Sequence, residues 1–331
     1  MKCGARCGVR TAAAVLGAVL YGMTMPLALA ATDREPRAAP AGKAKLAPHA
    51  TDPQRSGPPL ALRHGYVDSP YGQLHYSIVQ PSGGAAPPVI LLHQSPNSSV
   101  EFDALVMALG RDRVAIAVDT PGYGGSDGPR DIPTIEDYAA AIAAGLQALG
   151  FGASRPVDLF GYHTGSKIAT EIAIRRPELV RRLMLSGLYM ADAATLEKAS
   201  AAIVHPASSA ALFEQFCRLL PRYQEMYAAS GVPDAAWGRI RIDSLRPITR
   251  QEYGHEAAFR YTPGFAARLG AVTQPVLLVP LEDGLASATR QAQSLFRKNQ
   301  AKVTPRDFSR GAFFTEPEAV ADALRSFVDG T

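Results

Sequence analysis

Between an apolar run at residues 157–160 (Val-Asp-Leu-Phe) and a helix-period stretch at 166–175 stands Gly161-Tyr162-His163-Thr164-Gly165. A central residue flanked by glycine two positions away on either side is what a sharp strand-to-helix turn requires. Such a turn strains the central residue and presses its neighbours together, leaving no room for larger side chains. The apex side chain is thrust outward from such a turn. The apex residue is His163. Thr164 and Ser166 lie off the apex, so neither takes its place without a different turn.

Working outward, the same alternation of strand and helix recurs. Leu74, Tyr76 and Ile78 share one face of a half-buried strand, and residues 88–92 form a short continuous apolar run leading into His93. Residues 114–118 form another run, ending at Asp119. Helix spacing follows at Ile135, Tyr138, Ala139, Ile142 and Leu146, with Gly150 as a stop signal. Later runs at 183–186 and 276–279 and a helical stretch at 319–327 continue the pattern. Continuous apolar strands separated by helices predict a doubly wound α/β fold with a mostly parallel sheet covered on both faces. Ligands in such sheets meet the loops at the carboxyl ends of the strands.

Composition sets the outer limits. The chain has 331 residues, 47% hydrophobic and 19% charged, which excludes disorder over the whole length, a coiled coil and a polytopic membrane protein. Its net charge of +4 sits at one end: residues 1–30 carry Lys2, Arg6 and Arg10 and no acid, and 31–60 hold five basic and three acidic side chains. Residues 61–331 are left at −1, which offers nucleic acid no basic face. The basic start, the apolar run at 11–29 and the small residues Ala28 and Ala30 predict a signal peptide at 1–30 cleaved after Ala30. The mature protein is then exported, periplasmic or secreted, with no stable membrane span; left uncut, the run is about long enough to cross a bilayer. Residues 31–60, rich in Pro and Ala without apolar periodicity, predict a disordered linker. Cys3 and Cys7 leave with the signal, and Cys217 alone forms no intramolecular disulfide.

The order of the post-strand loops resembles the α/β-hydrolase superfamily across essentially all of 61–331, in its capped, esterase- and epoxide-hydrolase-like branch. His93-Gln94-Ser95-Pro96 is similar to the family's oxyanion loop, usually His-Gly-x-Pro. Asp119-Thr120-Pro121-Gly122-Tyr123-Gly124-Gly125-Ser126-Asp127 resembles a loop frequent in its esterase, epoxide-hydrolase and dehalogenase branches, and Arg176-Pro177-Glu178-Leu179-Val180-Arg181-Arg182-Leu183 the usual lead into the next strand. The resemblance makes Gly161–Gly165 the nucleophile elbow, with His163 where the family has serine. It implies an acid at Asp283, with Glu282 as the alternative, in Leu281-Glu282-Asp283-Gly284. It also implies a histidine between the last strand and last helix. That stretch is Asp307-Phe308-Ser309-Arg310-Gly311-Ala312-Phe313-Phe314-Thr315-Glu316-Pro317, and no histidine follows His255.

The Ser-His-Asp machinery is therefore absent at two of its three positions, and a site has to be built from what remains. An imidazole at the apex reaches further than a serine hydroxyl, so one ring nitrogen of His163 is expected to face Asp283 and the other a water or substrate: a general-base dyad. Direct attack by His163 is the alternative. The N–H groups of Thr164 and of Gln94 or Ser95 are the candidate oxyanion donors. His93, Tyr123, Tyr162 and His255 complete the site as substrate-facing residues: His93 orders the loop backbone, the tyrosines form pocket walls, and His255 reaches over from a helical cap inserted at about 190–272. Helices are expected there at 195–203, 210–229 and 234–242, with Phe213, Phe216, Leu219, Leu220, Tyr223 and Tyr227 as an apolar stripe. No metal-ligand cluster and no dinucleotide fingerprint is present, so no cofactor is expected. Two functions fit: an exported hydrolase of a small ester-like or related electrophile through a His163-centred site, or a catalytically degenerate protein binding a small apolar ligand under its cap.

Overall fold

A computed structural model describes residues 60–330 apart from 84, 85, 248, 249 and 251. The expected signal peptide and, but for Leu60, the expected linker lie outside the described residues. Among the described residues eight strands form one sheet: β1 (Arg63–Ser69), β2 (Gly72–Val79), β3 (Ala86–Leu92), β4 (Arg113–Val118), β5 (Val157–Tyr162), β6 (Val180–Ser186), β7 (Val276–Leu278) and β8 (Ala301–Val303). Their order is β1-β2-β4-β3-β5-β6-β7-β8, antiparallel across the first two pairings and parallel thereafter.

Side-chain alternation explains why the strands read as unbroken apolar runs. In β3, Ile90 and Leu92 enter one core while Val89 and Leu91 enter the other, and β4 divides Ile116 and Val118 from Ala115 and Ala117 in the same way. A strand buried on both faces keeps no polar register. One core lies under α2 (Ile135–Ala148) and α3 (Thr164–Arg175); the other lies under α1 (Asp103–Leu109) and the C-terminal helix Pro317–Asp329. Even β2 serves both, with Leu74 packed into the first core and Val79 into the second, so its alternation does not mark a wet face.

Among the described residues five α-helices lie between β6 and β7: α4 (Ala193–Ala201), α5 (Ser209–Ala229), α6 (Asp234–Leu245), α7 (Tyr253–Tyr261) and α8 (Phe265–Ala271). The apolar stripe of α5 is used at its C-terminal half, where Leu220, Tyr223 and Tyr227 pack with Trp237 and Ile240 of α6. Phe213, at its start, is 59% exposed, a departure from the expected continuous stripe. After β7 come α9 (Ala286–Gln291), β8, α10 (Ala312–Thr315) and α11 (Pro317–Asp329). Among the described residues no helix is long and apolar enough to cross a membrane.

Beneath the end of β5 an aromatic cluster supports the strand-to-helix turn. Phe160 is fully buried, with its ring 5.9 Å from those of Phe102 and Phe313 in edge-on contact. Phe160→Ala removes this support and leaves a cavity, at an expected cost of about 3–5 kcal/mol. Chemical denaturation measures it, and a loss below about 1 kcal/mol contradicts the packing role.

Candidate functional site

β5 ends at Tyr162 and α3 begins at Thr164, so His163 alone makes the turn, with φ 50° and ψ −112°. That backbone is strained for a side chain with a Cβ, at a cost on the order of 1–3 kcal/mol. The surroundings impose it. A Cβ on Gly161 would collide with the Gly165 carbonyl, and one on Gly165 with that of Leu92. The His163 N–H donates to Ser186 O at 3.0 Å, and the Ser166 N–H and hydroxyl both donate to His163 O, at 2.9 and 2.6 Å.

The imidazole is held on three sides. Nε2 stands 2.8 Å from Asp283 Oδ2, the Tyr162 ring meets it edge-on with centroids 4.3 Å apart, and Gly187 at the end of β6 lies against Cδ2 so closely that a Cβ there would collide. Asp283, in the loop after β7, is 2% exposed. Its Oδ1 accepts the Leu285 N–H at 2.8 Å and its Oδ2 the Tyr162 hydroxyl at 3.2 Å. Burial alone would raise its pKa, but the hydrogen bond and charge of His163, the Leu285 N–H and the charge of Arg310 outweigh burial and hold it below the usual carboxylate range. Asp283 is thus an ionised carboxylate, which makes Nε2 the protonated ring nitrogen of neutral His163 and leaves Nδ1 as the acceptor.

His163 and Thr164 open onto a cavity of about 440 Å³, a size suited to a small molecule. Thr164 is the first residue of α3, where an N–H has no partner within the helix and the helix dipole favours negative charge. Ser95 also lines the cavity. Gln94 lines it as well, but its backbone N–H donates to Glu101 Oε2 at 3.4 Å and its side-chain amide to Glu101 Oε1. The expected oxyanion role of the Gln94 N–H is therefore corrected: Glu101, buried beneath the loop and also bonded by Asn97 Nδ2 at 3.0 Å, takes that donor.

Three residues expected to face the substrate, His93, Tyr123 and Tyr162, do not line this cavity. His93 is fully buried, with Nδ1 donating to Gln94 O at 2.8 Å and Nε2 accepting from the Thr120 N–H at 2.9 Å. Burial lowers its pKa against the pull of Asp119, so it stays neutral and ties two loops together. Tyr123 is 1% exposed and its hydroxyl accepts the Gly254 N–H at 2.7 Å, docking α7 onto the core. Tyr162 stands behind His163, in a chamber of about 30 Å³ that Asp283 and Arg310 also line. His255 does line the main cavity, its Nδ1 2.7 Å from Glu252 Oε2.

Four residues were not found by sequence reasoning: Glu101, Lys167, Glu252 and Arg310. Glu252 carried a signal, because a carboxylate three residues before His255 shares its helical face. Lys167 carries none, since a lysine on a helix ordinarily reads as solvated. Glu101 and Arg310 carried none, since the backbone folding that brings them under the site is long-range. Among the described residues no group of three or more His, Cys, Asp or Glu is placed to hold a metal ion.

Residues 87–226 match a family model described as the alpha/beta hydrolase fold. The chain is similar to a 2-(acetamidomethylene)succinate hydrolase of Mesorhizobium japonicum, 26% identical over 258 residues that cover 74% of this chain and 89% of that one. It is also similar to a pimeloyl-[acyl-carrier protein] methyl ester esterase of Neisseria meningitidis, 28% identical with 73% and 93% covered. Among solved structures, an epoxide hydrolase from Vigna radiata superposes with a TM-score of 0.63 at 15% identity, covering 82% of this chain and 99% of that one.

Gly187 is the sharpest test of this geometry. Gly187 has φ 64°, so Gly187→Ala combines backbone strain with a collision against the His163 ring. The variant is expected to lower the thermal midpoint and to shift the side-chain nitrogen resonances of His163 as the ring is pushed from Asp283. Retention of both at wild-type values contradicts the packing described.

Proposed function

The chain belongs to the α/β-hydrolase superfamily, and on that premise we propose that it hydrolyses a small ester-like or related electrophilic substrate with His163 and Asp283 in place of Ser-His-Asp. The observation that carries the reading is the 2.8 Å contact between His163 Nε2 and Asp283 Oδ2 at the apex of the turn, on the wall of the cavity. A base fixed in one tautomer, beside a helix N-terminus, is the minimum equipment for activating water against a carbonyl. The relatives named as a hydrolase and a methyl ester esterase support the reaction class.

Nδ1 of neutral His163 accepts a proton from a cavity water as its oxygen bonds to the electrophilic carbon. The Asp283 carboxylate stabilises the imidazolium that results, and the Thr164 N–H, with Ser95 beside it, faces the oxyanion. Collapse of the tetrahedral adduct breaks the bond to the leaving group, which takes the proton back from His163. His163 and His255 both line the cavity, each paired with a carboxylate, but only His163 stands at the strand-to-helix turn beside the Thr164 N–H, which leaves His255 as the substrate-facing residue of the cap. We also place the mature protein outside the cytoplasm, periplasmic or secreted, on the strength of residues 1–30. With −1 over residues 61–331, its partners are small molecules rather than nucleic acid.

Purified 31–331 assayed on short-chain aryl esters and lactones tests the reading. His163→Ala is expected to reduce kcat by about 10²–10⁴, and Asp283→Asn to cause a comparable loss, with folding checked by thermal midpoint. Turnover unchanged in His163→Ala overturns the dyad. Absence of turnover across the panel favours ligand capture under the cap.

A further inference from the structure

Lys167 lies one turn into α3, four residues and about 6 Å of helical rise after His163, and lines the same cavity. It is 2% exposed. Nζ donates to Tyr189 O at 3.0 Å and stands 3.9 Å from the centroid of the Phe265 ring. Among the described residues no Asp or Glu forms an ion pair with it. Glu171, one turn further along α3, is engaged instead by Arg175, Arg268 and Tyr261.

A buried ammonium with a single carbonyl acceptor keeps two of its three N–H donors unused, an arrangement that costs free energy unless a ligand completes it. Burial pushes the amine down to about 7, so its charge is conditional on what binds beside it. The other ionisable groups on the cavity wall are His163, His255, Tyr189 and Asp192. The first two are basic and already paired with their own carboxylates, and Asp192 caps α4 through the Thr195 N–H at 2.7 Å.

We propose that Lys167 is the anchor for a carboxylate on the substrate, so that the cavity selects an anionic, carboxylate-bearing ester over its neutral counterpart. This rests on the cavity being the substrate site of the His163–Asp283 dyad. Lys167 holds one end of a short molecule while the electrophilic carbon is presented at His163, one helical turn away. The bound anion in turn keeps the amine protonated, which is the free energy that distinguishes a charged substrate from an uncharged one of the same shape.

The probes are glutarate and neutral glutaramide for binding, by calorimetry, and monoethyl glutarate and its neutral amide analogue, ethyl 4-carbamoylbutyrate, for turnover. The wild-type protein is expected to bind glutarate at least tenfold more tightly than Lys167→Met does, with glutaramide bound equally by both. Lys167→Met should raise KM for the anionic ester by at least tenfold, while kcat and the neutral ester change little. Equal glutarate affinity in the two proteins, or equal losses on both esters, overturns the proposal. If Lys167→Met does not fold, the pH dependence in wild type decides: glutarate affinity falls above about pH 7 as the free amine loses its proton, and this limb persists in His163→Ala and His255→Ala. Affinity independent of pH between about 6 and 9 overturns it. His163→Ala separates the two readings, since it cuts turnover sharply while glutarate binding survives. If turnover is unchanged in that variant and Lys167→Met still weakens glutarate, the dyad falls and the anion site stands.

Discussion

The backbone of His163, at φ 50° and ψ −112°, is held by its neighbours against its own preference, and the rest of the site hangs from it. Gly161 and Gly165 let β5 and α3 close to within backbone contact of each other and of β3, a geometry that excludes side chains at both positions. Three further hydrogen bonds at His163 N and O pin the turn. With the main chain fixed, the imidazole has one place to go, between Tyr162, Gly187 and Asp283. A strained turn thus converts folding free energy into the placement of a single ring.

Electrostatics then divide the imidazoles of the core by task. His93 is fully buried, neutral and spent on two loop backbones. His163 pairs through Nε2 with an ionised carboxylate, which leaves Nδ1 as the unprotonated ring nitrogen. His255 repeats the carboxylate pairing from the cap, in the first turn of α7, with Glu252 at the head of that helix as its partner. Arg310 adds positive charge on the Asp283 side, in the loop where the superfamily would supply its own histidine, and so favours the ionised carboxylate that His163 needs.

How far the sequence went can be traced residue by residue. β3, β4, β5 and β6 are legible because both faces are buried, which writes them as continuous apolar runs bounded by loop residues. β1, Arg-His-Gly-Tyr-Val-Asp-Ser, is an edge strand with a mostly exposed pattern, and β8 has three residues, too few for any periodicity to show. His163 and Asp283 were legible as a pair because each follows a strand end, and strand ends converge in a parallel sheet. The buried state of Lys167 was not legible: a lysine on a helix ordinarily reads as solvated, and only the packing of Phe265 and Tyr189 against it decides otherwise. His93 and Tyr123 stand beside pocket residues in sequence, whereas the Thr120 and Gly254 amides draw them into the core.

A general-base dyad requires one protonation pattern of the His163 ring. Nitrogen-15 NMR of the His163 side chain in the neutral form reads it directly, comparing wild type with Asp283→Asn. The structure predicts a protonated Nε2 and an unprotonated Nδ1 in wild type, with that tautomer preference lost in the variant. A protonated Nδ1, or a ring indifferent to the loss of the Asp283 charge, contradicts the general-base dyad.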